Sequence, residues 1–162
     1  MLCAEREGPR GVLAINRLVS QHFRGALEHP LDPGSRSEWY PGRPVMVLRN
    51  DYVLKLFNGD VGIVLPDASG TMMVFFQDTE GSFRHVAPLR LPEHETAFAT
   101  TVHKAQGSEF DRVLLLLPAK PNRAVTRELL YTAVTRSRSG VIIAGGIEVL
   151  EKAIASPTRR YS

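Results

Sequence analysis

The 162-residue sequence has little of what several classes of protein need. It holds one cysteine, Cys3, which excludes an internal disulfide and is typical of a reducing compartment, so we expect a cytoplasmic protein. No apolar run approaches the roughly 18 residues of a membrane-spanning helix, and the N-terminus lacks the charged-then-apolar pattern of a signal peptide. We therefore expect no membrane partner.

The sequence also lacks the phosphate-binding loop G-x-x-x-x-G-K-[ST] on which many nucleotide hydrolases depend. A metal-dependent nuclease would need clustered carboxylates. The aspartates that could supply them stand singly on predicted turns, where turn formation explains them: Asp51, Asp60, Asp67 and Asp78. By itself, the chain is expected neither to hydrolyse nucleotides nor to cleave nucleic acid.

Lysine is scarce, because sixteen of the twenty basic residues are arginine. Arginine is the side chain suited to bidentate contact with phosphate. With a net charge of only +3, this composition is compatible with a nucleic-acid partner and equally with a solvated charged surface.

Two kinds of sequence pattern alternate along the chain, one typical of α/β structure and one of short strands separated by turns. Apolar residues at helical spacing between Val12 and Phe23 predict a helix of about four turns, and the proline- and glycine-rich stretch His29–Ser37 predicts a loop or domain boundary. From Pro44 to Leu91, short apolar runs separated by turn signals predict a small antiparallel barrel. These runs are Val45–Leu48, Val61–Leu65, Met72–Phe76 and His85–Leu89.

After Pro92 the pattern is that of an α/β domain, with a helix from about Arg127. The strands Val113–Leu117 and Val141–Ala144 are continuous apolar runs, which fit a parallel sheet covered on both faces. A further strand, Ala97–Val102, leads into the polar run Thr101–Phe110 (TVHKAQGSEF). Ligands of open α/β sheets bind at the carboxyl ends of strands, so this position favours a binding role.

A second polar run, Glu128–Arg138 (ELLYTAVTRSR), lies on the predicted helix and places Arg136 near its end. In this order and spacing, the two runs resemble motifs V and VI of superfamily 1 DNA helicases, and their wording is similar to the RecD family of the RecBCD helicase-nuclease. Similar wording extends upstream over Arg6–Arg17, Trp39–Asn50 and Leu56–Gly62. The resemblance therefore covers nearly the whole chain.

The resemblance implies a RecA-like parallel-sheet motor domain, the second of a helicase, interrupted by an inserted small SH3-like β-barrel. The motor domain would comprise residues 1–37 and 92–162, and the barrel residues 38–91. The chain would be the C-terminal portion of a longer protein, in which ATP and Mg²⁺ are bound mainly by a first motor domain that precedes it.

The resemblance also assigns roles to single residues. Arg136 matches the arginine finger on the γ-phosphate of ATP, the catalytic residue of this chain. Gly107 and Glu109 match positions that approach the nucleotide, and Arg6 resembles a second phosphate-sensing arginine. Arg138 either joins the phosphate contacts or caps the C-terminus of the helix, and the cap is favoured.

Four residues match positions that face single-stranded DNA: Thr101, His103, Lys104 and Gln106. A hydroxyl suits a phosphate oxygen, and an imidazole can bond to phosphate or stack on a base. For Lys104, a solvated surface role is an equal alternative.

The resemblance further implies 5′→3′ translocation and RecB and RecC counterparts as partners, if the complex exists in the source. A helicase of this type that works alone is also open, because it shares the motor motifs. The alternative from another class is a stand-alone nucleic-acid or protein-binding module without catalysis.

Overall fold

The computed structural model describes residues 1–27, 38–78 and 81–156. Two compact units can be distinguished, one from Met1–Leu18 together with the chain from Ala99 onward, and one from Val19–Phe98. The predicted loop His29–Ser37 lies outside the described residues. The predicted domain boundaries at 37/38 and 91/92 stay predictions.

The helices and strands follow one another along the chain as β1 (Leu2–Cys3), α1 (Val12–Gly25), β2 (Pro44–Val47), β3 (Val61–Pro66), β4 (Met72–Gln77), β5 (Phe83–Val86), β6 (His94–Thr96), β7 (Thr100–Thr101), β8 (Phe110–Leu116), α2 (Arg127–Val134), β9 (Ser137–Ala144) and α3 (Ile147–Ala155). A short 3₁₀ helix, Pro88–Arg90, follows β5. The predicted four-turn helix is confirmed by α1, and the predicted helix from Arg127 by α2.

The first unit is built on a four-stranded parallel sheet in the order β7-β1-β8-β9. Helices α2 and α3 pack on one face, where Leu115, Leu117 and Ala133 are fully buried. On the other face, Val12 of α1 packs with Cys3 and Ala99. A parallel sheet between helices is the expected architecture.

Strand β9 differs from its prediction. The run Val141–Ala144 was expected to be covered on both faces, but Ile142 is 69% exposed and Ile143 38%. The reason is position, since β9 is an edge strand that pairs only with β8 in the described sheet. Val141 alone of this apolar run packs against the core of buried residues.

A buried side-chain amide, that of Asn16, holds the chain at Ala99, where the second stretch of the first unit begins. The side chain of Asn16 on α1 donates to the carbonyl of Ala99 at 3.0 Å and accepts from the Ala99 N–H at 2.8 Å. Both backbone groups of Ala99, directly before β7, are thereby satisfied. Cys3 lies close by with no exposed surface, and burial raises the pKa of its thiol to about 11, which makes it a poor nucleophile.

The second unit contains a five-stranded antiparallel sheet in the order β5-β4-β3-β2-β6. Strands β2, β3 and β4 confirm the first three predicted apolar runs, whereas of His85–Leu89 only His85 and Val86 belong to a strand and Pro88 begins the 3₁₀ helix. Val45, Val64 and Phe76 lie in the core of this sheet. At Gly62, a Cβ would come within 2.8 Å of the side chains of Phe76 and Val74, so only glycine fits there. Closure of this sheet into the predicted SH3-like barrel stays a prediction.

Two arginines of the second unit are structural. Arg43 is only 5% exposed; it donates to the Thr96 hydroxyl and the Glu38 carbonyl, and it lies 4.8 Å from the centre of the Trp39 ring. Burial lowers its pKa, and Glu38 opposes that shift. Arg84 donates to the carbonyls of Leu54 and Lys55.

Within the described residues, no helix combines the length and apolar character needed to cross a bilayer.

Candidate functional site at two edges of the parallel sheet

Arg136 lies in the turn between α2 and β9 rather than on the helix, which ends at Val134. Its guanidinium donates to the carbonyls of Thr132 (3.3 Å) and Ser108 (3.4 Å) and to the hydroxyl of Thr135 (3.4 Å). Among the described residues, these recorded partners are neutral oxygens and not a carboxylate. The ordinary explanation for a half-buried arginine, a salt bridge, is therefore not what the structure shows.

Arg138 does not cap the helix, and that prediction was wrong, because the residue belongs to β9. Two of its nitrogens contact the same oxygen of Glu109, Nε at 3.1 Å and Nη2 at 3.0 Å from Oε2. With side chains 65% and 60% exposed, the pair contributes little stability. Both contacts involve Oε2, and among the described residues no contact to Oε1 is found.

Residues Ser108, Glu109, Arg136 and Arg138 thus form what we call the arginine cluster. A bulge creates it: Phe110 pairs with Ser137 and Arg112 with Gly140, so β9 carries one extra residue. The hydroxyls of Ser137 and Ser139 both donate to the carbonyl of Asp111, at 3.1 and 2.6 Å. Sequence reasoning missed these serines, although small polar residues alternating with Arg138 and ending at Gly140 were a signal.

Thr101 opens the turn 102–107 in the manner of a helix cap. Its hydroxyl accepts from the N–H of Lys104 (3.2 Å), and its carbonyl accepts from the N–H of Ala105 (3.1 Å). Gly107 ends the turn at φ 88°, a conformation that favours glycine. A Cβ there would meet nothing within 4 Å, so φ rather than crowding explains the glycine.

The side chains of this turn divide into two groups. Val102 and Ala105 are buried in the core, whereas His103, Lys104 and Gln106 are exposed. His103 and Gln106 line a groove of about 390 Å³ whose other side is the beginning of α2. Three of the four predicted DNA-facing residues are therefore presented to solvent on one defined turn.

The predicted ligand residues do not share one edge of the sheet. Thr101 lies level with Cys3, and Cys3 lies level with Leu116, the last residue of β8. Glu109 directly precedes Phe110, the first residue of β8. Seven residues of strand separate these levels by about 20 Å.

Thr101 and His103 accordingly lie at the carboxyl edge of the sheet, as expected, whereas the arginine cluster lies at the amino edge. Arg6 follows β1 and so stands at the carboxyl edge, where neighbouring Glu5 accepts from Asn122 at 3.0 Å. The structure does not bring Arg6 together with Arg136. The role of Arg6 at the nucleotide stays a prediction.

The family model of the UvrD-like helicase C-terminal domain matches residues 96–144, which include both polar runs. The RecBCD enzyme subunit RecD of Mycobacterium tuberculosis is 42% identical over 162 residues, covering all of this chain and 27% of the relative. The chain belongs to the RecD family. It matches the C-terminal part of its RecD relatives and spans about a quarter of their length.

A second relative, the ATP-dependent RecD2 DNA helicase of Deinococcus radiodurans, is 34% identical over 158 residues, covering 96% of this chain and 21% of that protein. Among solved structures, the Pif1 helicase from Bacteroides in complex with ADP-AlF3 and single-stranded DNA aligns with a TM-score of 0.52 at 19% identity. It covers 86% of this chain and 42% of that one. At that identity, the likeness supports the fold alone, the RecA-like helicase fold.

Proposed function

We propose that this RecD-family chain is the C-terminal motor part of an ATP-dependent 5′→3′ DNA helicase that acts in double-strand-break repair and recombination. The observation that carries the proposal is the arginine cluster, in which Arg136 and Arg138 of one motif both contact the Ser108–Glu109 segment of the other. Two guanidiniums and one carboxylate leave a net positive charge at the amino edge. Such a cluster suits phosphate groups.

Arg136 is the arginine finger of this proposal. Its hydrogen bonds to neutral oxygens, at 3.3 to 3.4 Å, are long for N–H···O contacts. Exchange of these contacts for phosphate oxygens gives charge-assisted bonds that are roughly twice as strong. In phosphoryl transfer, such an arginine is worth about 10³–10⁵ in rate.

Glu109 and Gly107 complete the nucleotide side. Oε1 of Glu109 is oriented by Arg138 and can accept from a ribose hydroxyl or from water bound to Mg²⁺. The backbone at Gly107 carries no side chain to keep a ligand away. In this proposal ATP and Mg²⁺ are held mainly by a first motor domain, and these two residues contact them from the other side.

The carboxyl edge supplies part of the DNA track through Thr101, His103, Lys104 and Gln106. The turn 102–107 starts in this track and ends two residues before Glu109, so one short segment joins the two edges. A shift of that turn on nucleotide binding would be passed to the DNA contacts. This is how the chain would couple hydrolysis to movement along the strand.

The remaining parts of the proposal concern the second unit and the partners. The second unit is the inserted SH3-like module, and proteins like RecB and RecC are partners if the source encodes them. A RecBCD enzyme subunit and an ATP-dependent RecD2 DNA helicase are both among the relatives.

A fusion tests the proposal. The chain is joined to the upstream part of the Mycobacterium tuberculosis RecD subunit, which precedes the matched region, to give what we call the fusion helicase. We expect Mg²⁺-dependent ATP hydrolysis that is stimulated by single-stranded DNA. The chain alone should bind single-stranded DNA without turnover, and the upstream part alone should lack the stimulation.

Two outcomes would contradict the proposal: ATP hydrolysis by the isolated chain, or a folded fusion helicase whose hydrolysis ignores DNA. Single-stranded DNA binding by the chain with no gain of hydrolysis in the fusion would favour the stand-alone binding module.

A further inference from the structure

The bulge at the start of β9 changes the register of the residues that precede it. After the bulge, Arg112 pairs with Gly140 in a regular ladder, whereas before it Phe110 pairs with Ser137. A ladder without the bulge would bring Phe110 level with Arg138 instead. One position along a strand is about 3.3 Å, and a slip of one position turns each side chain to the opposite face.

Two serine hydroxyls hold this bulge. The carbonyl of Asp111 lies opposite the extra residue, where a bulge interrupts the ladder, and the Ser139 hydroxyl donates to it at 2.6 Å. The Ser137 hydroxyl lies 2.7 Å from the carbonyl of Gly140 and 3.1 Å from that of Asp111, and it accepts from the Gly140 N–H at 2.9 Å. Because a hydroxyl has one proton, Ser137 divides it between two carbonyls, whereas Ser139 gives its proton to Asp111 alone.

The register set by the bulge determines where the two arginines of the cluster lie. The carbonyl of Arg136 accepts from the N–H of Phe110 at 2.8 Å, which ties the residue before the bulge to β8. In this register Arg138 contacts the Glu109 carboxylate. Arg136 contacts the carbonyl of Ser108, the residue before Glu109. Loss of the extra residue would move both arginines upstream along β8 by about 3.3 Å, roughly the length of these contacts.

We propose that Ser137 and Ser139 are positioning residues for the arginine cluster. Their hydroxyls hold the bulge in the register that places Arg136 and Arg138 beside Glu109. Bulges next to active sites commonly redirect a side chain in this way. This positioning role deepens the proposed function and rests on it, because the place of Arg136 at the γ-phosphate belongs to that proposal. Neither serine contacts the nucleotide, and both act through the arginines.

Two isosteric variants of Ser139 in the fusion helicase test the role of the hydroxyl. Ser139→Val and Ser139→Thr add the same β-branched bulk at an exposed strand position, and only threonine keeps the hydroxyl. We expect Ser139→Val to lower kcat for ATP hydrolysis about tenfold and Ser139→Thr to stay within about twofold, because small misplacements of a catalytic group are costly. Ser69→Ala removes a hydroxyl hydrogen bond of 2.6 Å from a turn of the second unit and should leave kcat unchanged.

A double-mutant cycle separates positioning from a merely structural role. If Ser139 acts through Arg136, Ser139→Val lowers kcat no further in the Arg136→Ala background. A variant that only reduces the folded fraction lowers the rate equally in both backgrounds. Single-stranded DNA affinity, measured by anisotropy, should be the same in Ser139→Val and Ser139→Thr, because its proposed contacts lie at the carboxyl edge.

A spectroscopic readout on the chain itself needs no ATP. The NMR resonance of Arg138 Nε reports its contact with Glu109, and Glu109→Gln gives the reference for a weakened contact. We expect the resonance to move toward that reference in Ser139→Val and to keep its wild-type position in Ser139→Thr. An unchanged resonance in Ser139→Val would mean that the hydroxyl does not position Arg138.

The outcomes distinguish the positioning role from the function on which it rests. Equal kcat in Ser139→Val and Ser139→Thr, or an undiminished loss in the Arg136→Ala background, overturns the positioning role and leaves the proposed function intact. If Ser139→Val does not fold, Ser137→Ala and Ser137→Thr are compared in the same way. A wild-type fusion helicase without DNA-stimulated hydrolysis contradicts the proposed function, and the Arg138 resonance then still decides whether the serines hold the cluster.

Discussion

At the amino edge of the parallel sheet, the polar side chains bind one another, whereas at the carboxyl edge they surround an open groove. Arg138 contacts Glu109, and Arg136 contacts Ser108, so the side chains of the arginine cluster pair with groups of the cluster itself. His103 and Gln106 instead are exposed and line the groove between the turn 102–107 and the beginning of α2.

The difference indicates two kinds of ligand contact. A cluster with an excess of guanidinium groups suits the negative charge of a phosphoryl group, once Arg136 exchanges its contacts with neutral oxygens for contacts with phosphate. A groove lined by an exposed imidazole and an exposed amide suits, in the proposed function, the bases and phosphates of a nucleic-acid strand. Substitutions at one edge should therefore leave ligand binding at the other edge largely intact.

The largest effect is expected at the amino edge. In the fusion helicase, Arg136→Ala should lower the rate of ATP hydrolysis by about 10³-fold or more, because no cation would replace the finger. ATP binding and single-stranded DNA binding should change little. Stopped-flow hydrolysis assays and anisotropy measure the two separately. Arg136→Lys keeps the charge but not the planar fork, and should recover part of the loss.

If Arg136→Ala hydrolyses ATP at a rate within a few-fold of wild type, Arg136 is not the arginine finger. An equal loss of DNA affinity would mean that DNA binding at the carboxyl edge depends on Arg136 at the amino edge.

The second prediction concerns the two hydrogen bonds between the Asn16 side chain and the backbone of Ala99, directly before β7. Asn16→Leu should lower the free energy of unfolding by about 1–3 kcal/mol, because the buried N–H and carbonyl of Ala99 lose their partners. Urea unfolding measures the loss. Gln21→Leu, at an exposed position of the same helix, is the matched control and should stay within about 0.5 kcal/mol.

Hydrogen exchange shows where this loss falls. In Asn16→Leu, we expect hydrogen exchange to accelerate more at the amides of Thr100 and Val102 than at the amide of Phe110. The reason is that Asn16 holds the chain next to β7 and does not contact the arginine cluster. Uniform loss of protection would mean that both edges open together.

The third prediction compares the edges by DNA affinity. His103→Ala should weaken binding of single-stranded DNA about tenfold, the loss of one stacking or phosphate contact. Its effect on the KM for ATP in the fusion helicase should be small. A His103→Ala chain that binds DNA like wild type would leave the track without its aromatic residue, and the DNA-facing assignment of the turn would fail.

The sequence predicted the parts of these edges that depend on order and spacing. Apolar periodicity predicted α1 and α2. The resemblance to helicase motifs predicted that Glu109 and Arg136 belong to the same nucleotide site. Gly107 was expected to permit close backbone contact, and its positive φ gives a local reason for glycine at that position.

Other features depend on register and on neighbours that no single residue reveals. The Val141–Ala144 run has the same composition whether its strand is central or at an edge, so its exposure could not be inferred. Arg138 was assigned to a helix end because nothing in its type indicates that α2 ends at Val134 and that β9 begins at Ser137. Nothing in the sequence distinguishes Arg43 from a surface arginine, and only the structure shows that it is buried against Trp39.

The smallest effect tests the order within the arginine cluster. In the fusion helicase, Arg138→Gln should raise the KM for ATP a few-fold and change kcat less, because Glu109 loses its orientation while the finger remains. Arg127→Gln is the matched control, since that arginine is similarly exposed and also lies near a carboxylate, that of Glu128. A double-mutant cycle with Glu109→Gln then measures the coupling. If Arg138 acts through Glu109, its substitution adds nothing once Glu109 is changed, whereas independent, additive effects would mean that Arg138 contacts the nucleotide itself.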